Sequence, residues 1–274
     1  MALGRGYEGY YRKIKIMSYT DELYDVKGKV AVVTGAGGYL CSAMAKGLAN
    51  AGAKIAVLDI RLEKAHSVAE EIVNSGGTAI GLAIDVVDKE QHIETLQIVL
   101  DKLGSVDILI NGAGINCATP FFDLSIDEWQ DVINSQITGT FLGCQVFGEY
   151  MVKKQSGSII NISSASSGPP LSKAFAYSVA KAGIKNLTQN LAREWALDGV
   201  RVNSIRPGFF PTKWNQENFI TKDREKAILG HTPMSRYGLP DELIGATIWL
   251  ASSASSFVTG SEIAIDGGFS AMTI

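Results

Sequence analysis

The chain has 274 residues, 46% of them hydrophobic and 19% charged, with a formal net charge of −3. That length buries a large core within one α/β domain, and the charge favours neither nucleic acid nor an anionic membrane surface. No apolar run approaches the roughly 20 residues of a spanning helix, and Cys41, Cys117 and Cys144 lack any paired or metal-like spacing, as expected of reduced cytosolic thiols and no metal site.

Residues 1–25 form an N-terminal extension in which Arg5, Arg12, Lys13 and Lys15 alternate with Tyr7, Tyr10 and Tyr11. No apolar stretch follows, so the extension does not read as a secretory signal. Either Met17 is a natural start or the extension is an arm packing on a neighbouring subunit. From residue 26 to 274, strands and helices alternate as one catalytic domain. Strands are expected near 29–34, 54–59, 79–84, 106–111, 157–163, 200–205 and 262–265. Such βαβ alternation gives a Rossmann-like, doubly wound parallel sheet in three αβα layers. Glycine, at 29 of 274 residues, exceeds its usual share of roughly 7%, as tight βα turns require.

The first strand, Lys29 to Val33, is an apolar run suited to a central parallel strand. Thr34-Gly35-Ala36-Gly37-Gly38 follows, then a helical pattern ending near Gly52. Glycines let backbone N–H groups approach a pyrophosphate, and a helix N-terminus favours its charge. Asp59 ends the second strand, 24 residues after Gly35, near where a ribose-binding carboxylate is expected. A carboxylate there repels a 2′-phosphate, and the Gly-rich turn holds no Arg. NAD is therefore favoured over NADP as cofactor.

The most informative group lies later. Ser158 to Ser164 reads as a buried strand ending in hydroxyls, Gly168-Pro169-Pro170 breaks the chain, and a helical pattern then carries Tyr177, Ile184, Leu187 and Leu191. Tyr177 and Lys181, at i and i+4, share one helix face. The same spacing occurs in Tyr11/Lys15 and Tyr150/Lys154, but no such strand precedes those pairs. An ammonium beside a phenol is expected to lower its pKa from near ~10 and so make a better general acid or base. Ser164 would hydrogen-bond the same substrate oxygen.

Taken in order, the Thr34–Gly38 turn, Asp59, Asp85, Asn111-Gly112-Ala113-Gly114, Ser164, Tyr177, Lys181, Pro207-Gly208 and Asp266-Gly267-Gly268 resemble the short-chain dehydrogenase/reductase family over residues 26–274. The resemblance implies a hydride-transfer site with Ser164, Tyr177 and Lys181 as catalytic residues, Lys181 also binding the nicotinamide ribose. It implies that Thr34, Gly35, Gly37, Gly38, Tyr39 and Leu40 surround the pyrophosphate, and that Asp59 and Ile60 meet the adenosine. Asp85 and Val86 would meet the adenine. Asn111, Gly112 and Ala113 would line the cleft, with Pro207, Gly208, Phe210 and Thr212 bordering the nicotinamide. A homo-oligomer, tetramer or dimer, is expected on the same ground.

Three departures stand out. Tyr39 and Cys41 replace further glycines of the family's turn, and Gly112 replaces an asparagine. The catalytic asparagine of the following helix becomes Gln136 when Trp129 and Gly139 are aligned, with Asn134 on another side. Gln136 keeps the amide and adds a methylene, so a water relay would survive in shifted form.

Pro207-Gly208-Phe209-Phe210-Pro211, His231-Thr232-Pro233-Met234 and the C-terminal Gly267 to Ile274 are similar to dehydrogenases of sugars and sugar acids. The Gly37-Gly38-Tyr39-Leu40-Cys41 turn resembles the short-chain fructuronate reductase (D-mannonate oxidoreductase) type, with the gluconate 5-dehydrogenase group nearby. The segment from Phe209 to Met234 is the expected lid. Its Lys213, Trp214, Asn215, Gln216, Asn218, Thr221 and His231 suit a polyol, as do Asn116, Thr119 and Ser166. Lys173 or Arg206 is the candidate partner for a substrate carboxylate. Two other readings compete: a reductase of 3-oxoacyl or other lipid-like ketones, and a non-catalytic NAD-binding protein.

Overall fold

The computed structural model describes residues 18–168, 171–172, 174–218 and 220–273. The elements run in the order α1 (Tyr19–Leu23), β1 (Val30–Thr34), α2 (Tyr39–Asn50), β2 (Lys54–Asp59), α3 (Leu62–Asn74), β3 (Thr78–Ala83), α4 (Lys89–Leu103), β4 (Ile108–Asn111) and α5 (Ile126–Ile133). A π-helical turn, Asn134–Thr138, joins α5 to α6 (Gly139–Lys154). Then come β5 (Gly157–Ile162), α7 (Phe175–Trp195), β6 (Val200–Pro207), α8 (Lys213–Asn218), α9 (Lys222–Gly230), α10 (Ile244–Ala251) and β7 (Glu262–Ile265).

The strands form one seven-stranded sheet in the order β3-β2-β1-β4-β5-β6-β7, each pairing parallel. Both faces are buried, so the central strands are apolar throughout rather than alternating. Ala31, Val33, Ile55, Val57 and Ile110 face one layer with Met44 and Leu48 of α2, Ile72 of α3 and Leu250 of α10. Val30, Val32, Ala56, Leu58 and Leu109 face the other with Val99 of α4, Phe147 and Met151 of α6 and Ala192 of α7. Met44, Leu48 and Phe147 are wholly buried, each contributing roughly 1.5–3 kcal/mol by leaving water.

The order reverses between β1 and β4, whose Thr34 and Asn111 are register partners at the strand ends. Such a switch point leaves a crevice beyond the carboxyl ends of the strands. Among the described residues, no helix is long and apolar enough to cross a membrane.

Candidate active site

The turn after β1 is built for close approach of backbone. Gly35 has φ +68°, and a Cβ there would meet Ala113 Cα at 2.8 Å. A Cβ at Gly37 would meet Asp59 Oδ2 at 2.7 Å. Gly38 caps α2 without a side-chain hydrogen bond, and the first turn of α2 carries no acidic residue. An uncapped 12-residue helix presents free N–H groups and positive potential, the requirement for a pyrophosphate. The residues present therefore fit a dinucleotide. The Thr34 hydroxyl is turned inward: it accepts from Gly112 N at 3.1 Å and Ala113 N at 3.3 Å, tying β1 to the end of β4.

Asp59 is 6% exposed at the end of β2. Its Oδ2 accepts from Gly37 N at 3.1 Å, and its Oδ1 accepts from Arg61 N at 3.1 Å and Arg61 Nε at 3.4 Å. The carboxylate is thus fixed beside the glycine turn. The same geometry sets a cation next to it, a neighbour that the absence of Arg from the turn itself did not reveal. Ile60 is exposed. On the next strand end, Asp85 accepts from Val87 N at 3.2 Å, and Val86 is buried.

Beyond β4, Asn111 is buried and donates from Nδ2 to Asn161 Oδ1 at 2.9 Å. A Cβ at Gly112 would lie 2.2 Å from Cys41 Sγ. Two departures from the family's pattern are therefore one: the Cys41 sulfur fills the volume that a side chain at 112 would take. Burial pushes the Cys41 thiol up to about 12, with Lys181 opposing, so Cys41 packs as a small hydrophobe.

Ser164, Tyr177 and Lys181 come together at the end of β5. The Ser164 Oγ lies within hydrogen-bonding reach of Tyr177 and of Ser166, whose hydroxyl donates to it at 3.1 Å. Lys181 is 3% exposed. Its Nζ donates to the Ile162 carbonyl at 2.6 Å and lies 5.4 Å from the Tyr177 ring centroid. The electrostatics correct the expectation that Lys181 lowers Tyr177. Burial raises the Tyr177 phenol above its ordinary value, and the hydrogen bond to Ser164 acts against that rise. It is Lys181 that moves far: desolvation takes it down to about 8, with Cys41 opposing. Of the other two Tyr/Lys pairs, Lys154 lies over Tyr150 but is bound to Asp107, a structural role, and Tyr11/Lys15 lies outside the described residues.

Gln136 is 3% exposed on the π-helical turn. Its Nε2 donates to the Ile115 carbonyl at 2.8 Å, and its Oε1 has no hydrogen-bond partner among the described residues. Gly114, at φ +151°, makes room: a Cβ there would meet Gln136 Cδ at 2.3 Å. Asn134 faces elsewhere, accepting from Gln130 Nε2 at 3.0 Å.

The residues that the resemblance sets beside the nicotinamide lie at the end of β6 and just after it. Pro207 is buried, and Gly208 packs so tightly that a Cβ would meet Asp266 Cα at 2.7 Å. The ring of Phe210 lies against Gly238. Thr212 caps α8, its Oγ1 accepting from Asn215 N at 3.0 Å. The expected lid is not a plain loop but carries α8 and α9, and Thr221 caps the latter by accepting from Arg224 N at 3.2 Å. Arg206, one of the two candidates for a substrate carboxylate, sets its Nη1 3.3 Å from Glu262 Oε2, while its buried Nε has no hydrogen-bond partner among the described residues. Lys173 lies outside the described residues, as do the side chains of Trp214 and Asn218. Thr119 is engaged with Glu128 at 2.7 Å, and Asn116 is exposed.

Known proteins share this architecture. A short-chain dehydrogenase family model, described as enoyl-(acyl carrier protein) reductase, matches residues 37–270. The chain is 42% identical to the uncharacterized oxidoreductase UxuB of Bacillus subtilis over 268 residues, covering 90% of this chain and 96% of that one. It is 40% identical to a solved protein of Haemophilus influenza, provisionally named a D-mannonate oxidoreductase, with bound NAD; the match covers 93% and 99% of the two chains at a TM-score of 0.88. It is 31% identical to a gluconate 5-dehydrogenase of Burkholderia cenocepacia solved with NADP and tartrate, covering 93% and 100% at a TM-score of 0.89. A match of this extent, in both sequence and fold, makes the chain a member of the short-chain dehydrogenase/reductase family of oxidoreductases.

Proposed function

We propose that the protein interconverts a secondary alcohol and a ketone on a sugar acid or sugar, of the fructuronate/mannonate or gluconate type, with NAD(H) as the preferred cofactor. The observation that carries this reading is the meeting of Tyr177 and Ser164 above a buried Lys181, at the mouth of a cleft shaped for a dinucleotide. The names of the mannonate and gluconate relatives support the substrate class.

A bound nicotinamide dinucleotide supplies the hydride acceptor or donor. The protein does the rest. Tyr177 Oη takes the proton of the substrate hydroxyl on oxidation and returns it on reduction. Ser164 donates to the same oxygen as charge develops. Lys181, held by the Ile162 carbonyl, places its ammonium under the Tyr177 ring and would hold the nicotinamide ribose. Gln136, whose Oε1 has no partner among the described residues, serves as the amide of a proton relay. NAD preference rests on the Asp59 carboxylate, which would accept from the adenosine ribose and repel a 2′-phosphate. Arg61, beside it, tempers that preference.

The test is reduction of NAD and of NADP with D-mannonate, D-gluconate, polyols and hydroxyacyl compounds, each active substrate being repeated with Tyr177→Phe. Sugar-acid activity that falls by at least about 10³-fold in the mutant is the expected outcome. Silence across the sugar panel, with NADH still bound, would sink the substrate class and move weight to the lipid-like ketones or to a non-catalytic role.

A further inference from the structure

Glu262 opens the edge strand β7, yet its side chain is only 8% exposed. Its Oε1 accepts from the hydroxyl of Ser163 at 2.6 Å and of Ser167 at 2.9 Å. Its Oε2 faces Arg206 Nη1 at 3.3 Å and Lys185 Nζ at 3.5 Å. The end of β5, the turn after it, β6 and α7 thus converge on one carboxylate. Register explains the convergence. Glu262 pairs with Ser204, so Arg206 lies two residues on, on the same sheet face. Ser163 continues β5 by donating its N–H to the Ile205 carbonyl at 2.8 Å.

The two hydroxyls held by Glu262 flank Ser164 in the run Ser163-Ser164-Ala165-Ser166-Ser167. Within that run, Ser166 donates its N–H and its hydroxyl to Ser164 Oγ, at 3.2 and 3.1 Å. Both acceptor positions of the Ser164 oxygen are then filled, and its own proton is left to point out of the turn. A turn that aims a hydroxyl must itself be fixed, because a site loosened by about 1 Å loses much of its rate.

We propose that Glu262 is a positioning residue: by clamping Ser163 and Ser167 it fixes the turn that aims the Ser164 hydroxyl at Tyr177. The inference rests on the reading of Ser164 and Tyr177 as the reacting pair. Glu262 itself touches neither substrate nor cofactor in this role.

Replacing Glu262 by Ala would strand Arg206 and Lys185, so the decisive variant is Ser163→Ala with Ser167→Ala, which leaves both ion pairs of Glu262 in place. Glu262→Gln is its companion, keeping an oxygen for the two hydroxyls. The double serine variant is expected to lose on the order of 10- to 100-fold in kcat, with NADH affinity unchanged and a somewhat lower melting temperature because Glu262 loses two hydrogen bonds, while Glu262→Gln keeps more activity. The second readout needs no turnover. Ser164 holds Tyr177 down against burial, so a loosened turn moves the Tyr177 phenolate titration to higher pH. That titration is read as the absorbance difference between each protein and its Tyr177→Phe counterpart. Wild-type kcat in the double variant overturns the proposal, and so does a fall in kcat with an unmoved phenolate titration, which marks a merely structural role. If Tyr177→Phe alone leaves turnover intact, it is the reading of the reaction that fails.

Discussion

Cys41 and Gly112 compete for one volume, and this makes a sharp test of how the glycine turn is built. Gly112 has no positive φ, so alanine there costs nothing in the backbone. Its Cβ would instead strike Cys41 Sγ at 2.2 Å, while Ile162 Cγ1 and the Thr34 carbonyl stay beyond 3 Å. Gly112→Ala alone is expected to destabilise the fold by about 1–3 kcal/mol through overpacking. Cys41→Ala in the same chain removes the obstructing sulfur, so the double variant should recover at least about 1 kcal/mol relative to additivity. Additive losses in denaturant midpoints would show that the two positions do not share that space. Sequence alone displays two unrelated oddities here, 71 positions apart, because only the fold brings the turns after β1 and β4 into contact.

Lys181 carries a second cost at this scale. Its folded pKa of about 8 lies below the ordinary lysine value of 10.5. Below pH 8 both folded and unfolded chains hold the proton, and burial of the charge is fully unfavourable. Between about 8 and 10.5 the unfolded chain binds more protons, so wild-type stability rises with pH. Lys181→Met removes the titration. Without cofactor, the stability of wild type relative to Lys181→Met should therefore increase by roughly 2 kcal/mol from pH 7 to pH 9.5, read from urea melts at each pH. A constant difference would mean that Lys181 titrates normally. The Met variant should also lose turnover, as expected where an active site holds a group at the expense of stability.

At the scale of elements, legibility follows burial. The central strands are covered on both faces, so their apolar runs mark them to within two residues. One of the two-residue differences is instructive: β4 begins at Ile108 rather than 106, because the Asp107 side chain accepts from Val30 N at 2.9 Å in place of a backbone carbonyl. Helix ends set by distant groups were invisible. α10 has no basic residue in its last turn, and Arg201 on β6 supplies one, donating to the Leu250 and Ser252 carbonyls at 2.7 and 3.2 Å. The π-helical turn has no local signature either. It fits Gln136 beneath Gly114, a contact the linear pattern does not contain. Thr221, with Asp223 and Glu225 after it, was a readable cap within the presumed loop. Glu262 was not readable, since its serine partners lie 99 and 95 positions away.

At the scale of the whole molecule, the parallel sheet delivers Thr34, Asp59, Asn111, Ser164 and Pro207 to one end, and their order along the chain was legible for that reason. What covers the outside is a separate matter. Phe121 stacks edge-on against Phe122 and Phe175, with ring centroids 5.8 and 5.1 Å apart. Phe122 is 99% exposed, and Ile126 and Val179 are exposed as well. An exposed aromatic cluster of this kind marks an interaction surface. Val179 lies two residues from Tyr177 on α7, so a second copy seated here would brace that helix, in keeping with the homo-oligomer that the family resemblance implies. Light scattering on the eluting protein should then give a dimer or tetramer, and Phe122→Ser should lower that mass while leaving the melting of the monomer fold and NADH binding in place. An unchanged mass would put the interface elsewhere, with the fully exposed Leu197 and Phe257 as the next surfaces to alter, whereas a fall in kcat alongside the fall in mass would mean that α7 depends on its partner for rigidity.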